Sequence, residues 1–233
     1  MATRPVFFAT STGATLVEVR LINFTWFPGM STSRKQLSID SLHESVREQC
    51  ECTVLEISSK SRENLGLSLS AFNLGFQHRS ISRQISVESA FQGSKVFEKG
   101  GPFHNLYNED SRVAKKYFGD KSFGAIIGFN FFGQSWPAKP RTLFYNWLYL
   151  QSLRKSSDLS RQVSFFGAFT DIEFNPVRSL NSQAYAAALF VSLTRRGELE
   201  ALLNNRSLFA RRLEMQNEWF AGTPYEKHHP GDL

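Results

Sequence analysis

The sequence predicts an α+β fold in which helices dominate, and three observations carry that prediction. Short β-prone runs gather near the N-terminus, and capped apolar segments of helical period fill most of the rest. No internal repeat or low-complexity segment interrupts them. Twenty-two phenylalanines supply enough aromatic bulk for a large core.

The elements follow in order. Leu16 to Leu21 alternates, and Phe24-Thr25-Trp26-Phe27 is aromatic before the Pro28-Gly29 turn, so the first 30 residues read as strands. Ser31 or Thr32 caps a helix reaching about Gln49, with Leu37, Leu42 and Val46 on its buried side. Thr53 to Ile57 is a strand and Ser59 to Asn64 a loop. Ser86 caps a helix running to Phe97, which Gly100-Gly101-Pro102 terminates. A short helix spans Ser111 to Tyr117. Phe118 to Trp136, rich in Gly and Phe and without a period, reads as a long ordered loop or short strands. A strong helix starts after Pro140 and ends near Lys155, and a shorter one covers Asp158 to Phe165. Ala168 to Phe174 is a strand stopped by Asn175-Pro176. Ser182 to Arg196 is an apolar helix stopped by Gly197, and Glu198 to Gln216 is the last.

Composition narrows the function. The net charge of +6 suits a polyanionic partner such as nucleic acid or a phosphate-bearing ligand. The only cysteines, Cys50 and Cys52, are spaced too closely for a zinc site and read as two ordinary thiols. Met1 to Gly13 lacks the apolar core of a signal peptide, and no apolar run approaches the ~20 residues that span a bilayer. A cytoplasmic protein with no membrane partner is expected. Phosphate-binding glycine loops, zinc-helix motifs, nucleophile elbows and the standard nucleic-acid-binding signatures are all absent.

Ile85 to Phe97 is the segment with chemical content. On a continuous helix, Glu88, Gln92 and Lys95 share a face, and an acid, an amide and an amine converge. A carboxyl beside a desolvated amine supports proton transfer or nucleophilic catalysis. By spacing alone, a solvated polar face is the plainer reading. Asp171 and Glu173 alternate on the predicted strand, either as a second acidic pair or as the wet face of an edge. Trp136 either stacks on a planar base or belongs to the core. The basic pairs Lys115-Lys116, Arg154-Lys155, Arg195-Arg196 and Arg211-Arg212 read singly as solvated helix ends and together as a possible DNA-facing surface.

Glu88 to Phe97 (E-S-A-F-Q-G-S-K-V-F) resembles the signature helix of the NADAR family, the YbiA-like fold, where a Glu-His pair leads into an aromatic-Gln-Ala-x-Lys-Phe run. Leu69-Ser70-Ala71-Phe72 stands at the family's Phe-Ser-Asn-Phe segment, with Asn73 near the Asn that Ala71 replaces. Ala114-Lys115-Lys116, Trp136, Ser157-Asp158-Leu159 and Asp171-Ile172-Glu173 then appear in the family's order. Ser89 replaces the family's His, and the Trp-Gly segment after the second acidic strand gives way to Ser179 to Gln183. The match covers about residues 65–200. It implies an N-terminal extension (1–64) packed on a catalytic domain (65–216) with a C-terminal tail (217–233).

The N-terminal region, with Phe24 to Gly29, is similar to the branch associated with DarT-type toxins. The resemblance implies an N-glycosidase that removes ADP-ribose from the amino group of guanine in DNA and so acts as an antitoxin. Catalysis would fall to Glu88 and Lys95, and substrate binding to Ser70, Asn73, Gln92, Trp136, Asp171 and Glu173. No metal or other cofactor is implied. The partners would be ADP-ribosylated DNA and a cognate DarT-type toxin. The family also leaves open an N-glycosidase acting on phosphoribosyl-aminopyrimidine intermediates of riboflavin synthesis, and an antitoxin that works by binding its toxin without catalysis.

Overall fold

The computed structural model describes residues 1–79, 81–119, 122–175 and 181–214. The chain is α+β and falls into two compact units, one built from residues 1–70 and 157–233 and the other from 71–156.

The first unit is organised by a four-stranded sheet in the order β2-β1-β9-β3. β1 (Ala2–Ala9) pairs antiparallel with β2 (Val17–Phe24) and with β9 (Ala168–Thr170), and β9 pairs in parallel with β3 (Val54–Glu56). Successive residues of a strand point to opposite faces, and β1 buries both. Val6 and Phe8 join the core formed with α1 (Thr32–Arg47), through Ile39, Leu42 and Val46. Phe7 meets Phe174 and Tyr185, the latter on α7 (Gln183–Arg195), at ring separations of 6.3 and 5.7 Å. Ser31 and Ser182 cap α1 and α7 by accepting from Arg34 N–H and Tyr185 N–H. The unit is completed by α2 (Asn64–Ser68), α6 (Ser157–Val163), α8 (Leu199–Asn204) and α9 (Arg206–Glu214).

The second unit holds a hairpin of β4 (Gly75–His78) and β5 (Ile81–Ser86), then α3 (Val87–Gly93). A three-stranded antiparallel sheet follows, of β6 (Lys95–Phe97), β7 (Ile126–Phe131) and β8 (Gln134–Pro137). A 3₁₀ turn (His104–Asn108) and α4 (Ser111–Lys116) connect β6 to β7, and α5 (Arg141–Lys155) closes the unit. Its core is aromatic: Phe144 packs against Phe91, Phe129, Phe131 and Trp136 at 4.9–6.2 Å.

Several expectations need correction. Leu37 is exposed, because α1 turns Ile39, Leu42 and Val46 to the sheet and the Leu37 position away from it. The predicted helix Ser86 to Phe97 stops at Gly93, and Lys95 begins a strand. Of the two readings of the aperiodic Phe118 to Trp136 stretch, by contrast, the structure has the short strands: β7 and most of β8 lie in it. β9 ends at Thr170, so Asp171 and Glu173 lie in a turn rather than alternating on a strand. The last helix is broken at Asn205, whose side chain accepts from Leu208 N–H and starts α9 afresh. Cys50 and Cys52 are joined by a disulfide rather than left as thiols. The expected tail 217–233 lies outside the described residues.

Candidate active site

α3 is short because both of its ends are anchored. At the start, the Ser86 hydroxyl accepts from Ser89 N–H at 3.0 Å. Ser111 Oγ donates to Phe72 O and contacts Ser86 Oγ, both at 2.8 Å, tying α4 to the same corner. Ser89, where the family pattern has His, is buried and donates to Glu109 O at 3.2 Å. It therefore has a structural place in this corner. At the other end, Ser94 Oγ donates to Ala90 O at 2.7 Å and contacts Tyr107 OH at 3.0 Å. A Cβ on Gly93 would sit 2.5 Å from the Tyr107 ring, so only glycine lets the chain pass. Asn130 N–H then claims Ser94 O, and Lys95 pairs with Phe129 in the sheet. Cross-strand pairing overrides the local helical pattern.

The break does not separate the three predicted groups. Glu88, on the first turn of α3, is 8% exposed and accepts from Gln92 Nε2 at 2.9 Å. Gln92 is as deeply buried, and its Oε1 has no hydrogen-bond partner among the described residues. Lys95 is half-buried, with its amine over the rings of Phe91 (5.3 Å) and Phe118 (5.1 Å). Burial pushes the amine down to about 8, and the nearby Glu88 charge opposes that shift. An acid and an acceptor amide are thus hydrogen-bonded on the helix, and a partly desolvated amine at the start of the next strand feels the charge of that acid.

The other predicted positions are placed differently. Trp136 is a core residue of the second unit, 5% exposed and packed on Trp147 (4.8 Å) and Phe144 (5.5 Å). Asn73 is exposed, in the turn before β4. Ser70 is buried just after α2 in the first unit.

Asp171 and Glu173 also belong to the first unit, beside a polar network that sequence reasoning missed. Glu56 is fully enclosed, and its carboxylate accepts from Thr170 Oγ1 at 2.6 Å and Ile172 N–H at 2.9 Å. Since Thr170 spends its one proton on Glu56, His43 must present Nε2–H to Thr170 Oγ1, at 2.8 Å. Burial, with help from the Arg47 charge, pushes His43 down to about 4. Asp171 Oδ1 accepts from Glu173 N–H and Phe174 N–H, both at 3.1 Å, which closes the turn. Burial raises the Glu56 and Asp171 carboxyls, and the Glu56 charge raises Asp171 further. Glu173 is exposed and accepts from Ser59 Oγ at 3.0 Å. The signal for this network was a Glu inside the apolar run Val54-Leu55-Glu56-Ile57, and a His on the buried side of α1.

Among the described residues, no three His, Cys, Asp or Glu side chains are grouped to hold a metal, and no helix is long and apolar enough to cross a membrane. The model of the family described as DarT1-associated NADAR antitoxin matches residues 2–219. No curated protein matches the chain.

Proposed function

The chain belongs to the DarT1-associated NADAR antitoxin family, and from that premise we propose that it is an N-glycosidase that removes ADP-ribose from the amino group of guanine in DNA. The observation that carries this reading is the Lys95 amine, partly stripped of water on two phenylalanine rings, within range of the buried Glu88 carboxyl.

In the proposed reaction, neutral Lys95 Nζ attacks C1 of the ribose. The bond from C1 to the guanine amino nitrogen breaks as the Glu88 carboxylate takes the proton released by the attacking lysine nitrogen and passes it to the departing one, freeing unmodified guanine. Water then adds to C1, Glu88 relays the water proton to the lysine nitrogen as that nitrogen leaves, and ADP-ribose is released as the free sugar. The unpartnered Gln92 Oε1 is an acceptor suited to a ribose hydroxyl or the amino group, while its Nε2 holds Glu88 in place. The exposed Asn73 is retained as a proposed substrate contact, and Asn73→Ala is expected to raise KM. Trp136, locked in the core, is assigned no stacking role.

Charge favours DNA over a free riboflavin-pathway nucleotide. Residues 71–156, which contain Glu88 and Lys95, carry twelve Lys and Arg against five Asp and Glu, a net +7. The remainder carries fifteen against sixteen, a net −1. A polyanion gains from such a concentration of positive charge, whereas a single phosphate needs far less.

The test is release of ADP-ribose from an oligonucleotide carrying ADP-ribosylated guanine, by wild type, Glu88→Gln and Lys95→Ala. Wild type is expected to release it, and each variant to lose roughly 10²-fold or more. Failure of wild type on DNA with success on a phosphoribosyl-aminopyrimidine would move the assignment to the small molecule. Toxin neutralisation that survives Glu88→Gln would make the antitoxin a binding protein.

A further inference from the structure

Lys95 sits at the edge of a second aromatic group, distinct from the core around Phe144. Phe97, Phe103, Tyr117, Phe118 and Phe123 interlock with ring centroids 5.0–6.1 Å apart. They come from β6, the turn after it, the end of α4 and the segment leading into β7. Unlike the core rings, all five are only half-buried. The backbone is shaped to gather them. Gly101 has φ +104°, and a Cβ there would lie 2.3 Å from Lys95 O and 3.1 Å from the Phe103 ring. Positive charge flanks the rings. Exposed Lys99 donates its backbone N–H to Phe123 O at 3.0 Å, and exposed Lys116 leads directly into Tyr117 and Phe118, while the Lys115 amine lies over Phe72. Glu98, next to Phe97, accepts from Ala125 N–H at 3.2 Å.

We propose that this cluster, with Phe118 at its Lys95 edge, is a stacking platform for a purine ring. Two features point to a base rather than to plain packing. One of the two rings under the reacting amine, Phe118, is itself part of the cluster, so a substrate whose sugar carbon meets Lys95 brings its planar groups within reach of the neighbouring rings. Partly exposed aromatic faces interleaved with lysines are also the arrangement that holds bases by stacking and phosphates by charge. The purine has two sources, the adenine of the ADP-ribose group or a base of the DNA strand. The proposal rests on the N-glycosidase reading of Lys95, but its test does not need turnover.

Binding is measured by calorimetry in the Lys95→Ala background, with three probes: ADP-ribose, ribose 5-phosphate, and an unmodified single-stranded oligonucleotide. Phe118 is changed to Leu, which keeps apolar volume without a π face, and to Tyr, which keeps the face; circular dichroism melts check folding. Stacking of one base is worth ~1–3 kcal/mol, so Phe118→Leu is expected to weaken purine binding between roughly five- and 150-fold. Phe118→Tyr should bind as its parent does, and ribose 5-phosphate should be insensitive to both changes. Loss confined to ADP-ribose assigns the platform to adenine, and loss confined to the oligonucleotide assigns it to a DNA base. Unchanged binding of both purine probes by folded Phe118→Leu overturns the proposal. If the platform binds but wild type releases no ADP-ribose, the glycosidase reading fails alone; release without purine-sensitive binding removes only the platform.

Discussion

An ammonium resting over two phenylalanine rings keeps some cation–π attraction but loses hydration, and for Lys95 the loss is larger, which brings the amine down to about 8 from an ordinary 10.5. A nucleophilic amine has to be neutral. The rate of ADP-ribose release is therefore expected to rise with pH, with an acid-limb midpoint near 8. Lys95→Arg should not restore activity, because a guanidinium stays charged throughout this range. A pH-independent rate, with activity retained in Lys95→Arg, would reduce the lysine to an electrostatic anchor. Asp171 shows the opposite sign. Its carboxyl is pushed up by burial and by Glu56, so the folded state favours the protonated form. That contribution to stability is fully present below the ordinary carboxylate range and is lost as pH rises through the elevated value. Asp171→Asn retains an Oδ1 for the Glu173 and Phe174 amides. It is expected to raise Tm at pH 7, by an amount that shrinks toward pH 4. A Tm gain that is the same at both pH values would show that the charge is not the cause.

At the scale of elements, the α3–β6 junction decides where the proposed chemistry would sit. Substituting alanine at Gly93 forces a methyl into the Tyr107 ring and Phe103 O, 2.5 and 3.0 Å away. Overpacking of this kind costs about 1–3 kcal/mol. A urea titration of Gly93→Ala should show a loss of that size, and release of ADP-ribose should fall as well, because Lys95 lies two residues on. Full activity at reduced stability would mean the junction does not position the amine. This junction also marks the limit of what the sequence made legible. α1, α5 and α7 were readable because each has a local start signal and an apolar period long enough to be unambiguous. α3 was readable only at its cap. Nothing local distinguishes Ser94-Lys95-Val96-Phe97 from another helical turn. What ends the helix is Asn130 taking Ser94 O and Phe129 pairing with Lys95, partners more than thirty residues away. β7 was hidden for a related reason: Ile126-Ile127-Gly128-Phe129-Asn130-Phe131 has no clean alternation, and its glycine tolerates a Trp136 carbonyl close by. Glu88, Gln92 and Lys95 were legible as residues, and Glu88 and Gln92 meet at the helical spacing expected, but Lys95 stands on a strand and not on the same helix. The Glu56 network was illegible as a network, since His43, Glu56 and Thr170 meet only through folding.

At the scale of the whole molecule, the charge is unevenly distributed: the net positive excess belongs entirely to residues 71–156, which also hold the amine and the acid. If that excess draws in a DNA strand, each phosphate it neutralises releases counterions, and affinity falls with salt at about 0.9 log units per phosphate per tenfold change in concentration. Two such contacts are enough for kcat/KM on ADP-ribosylated DNA to drop about tenfold between 50 and 200 mM salt. The same chemistry on ADP-ribosylated guanosine, which lacks the flanking phosphates, should change much less. Replacing Lys115 and Lys116 with alanine should flatten the DNA salt slope and raise KM, and leave the nucleoside reaction near its wild-type rate. Lys115 has its amine over Phe72 at 5.0 Å, so Lys116→Ala alone serves as the variant that leaves that contact intact. Equal salt slopes for the two substrates would place recognition in the ADP-ribose group alone. The charge asymmetry would then have to serve something other than the substrate strand.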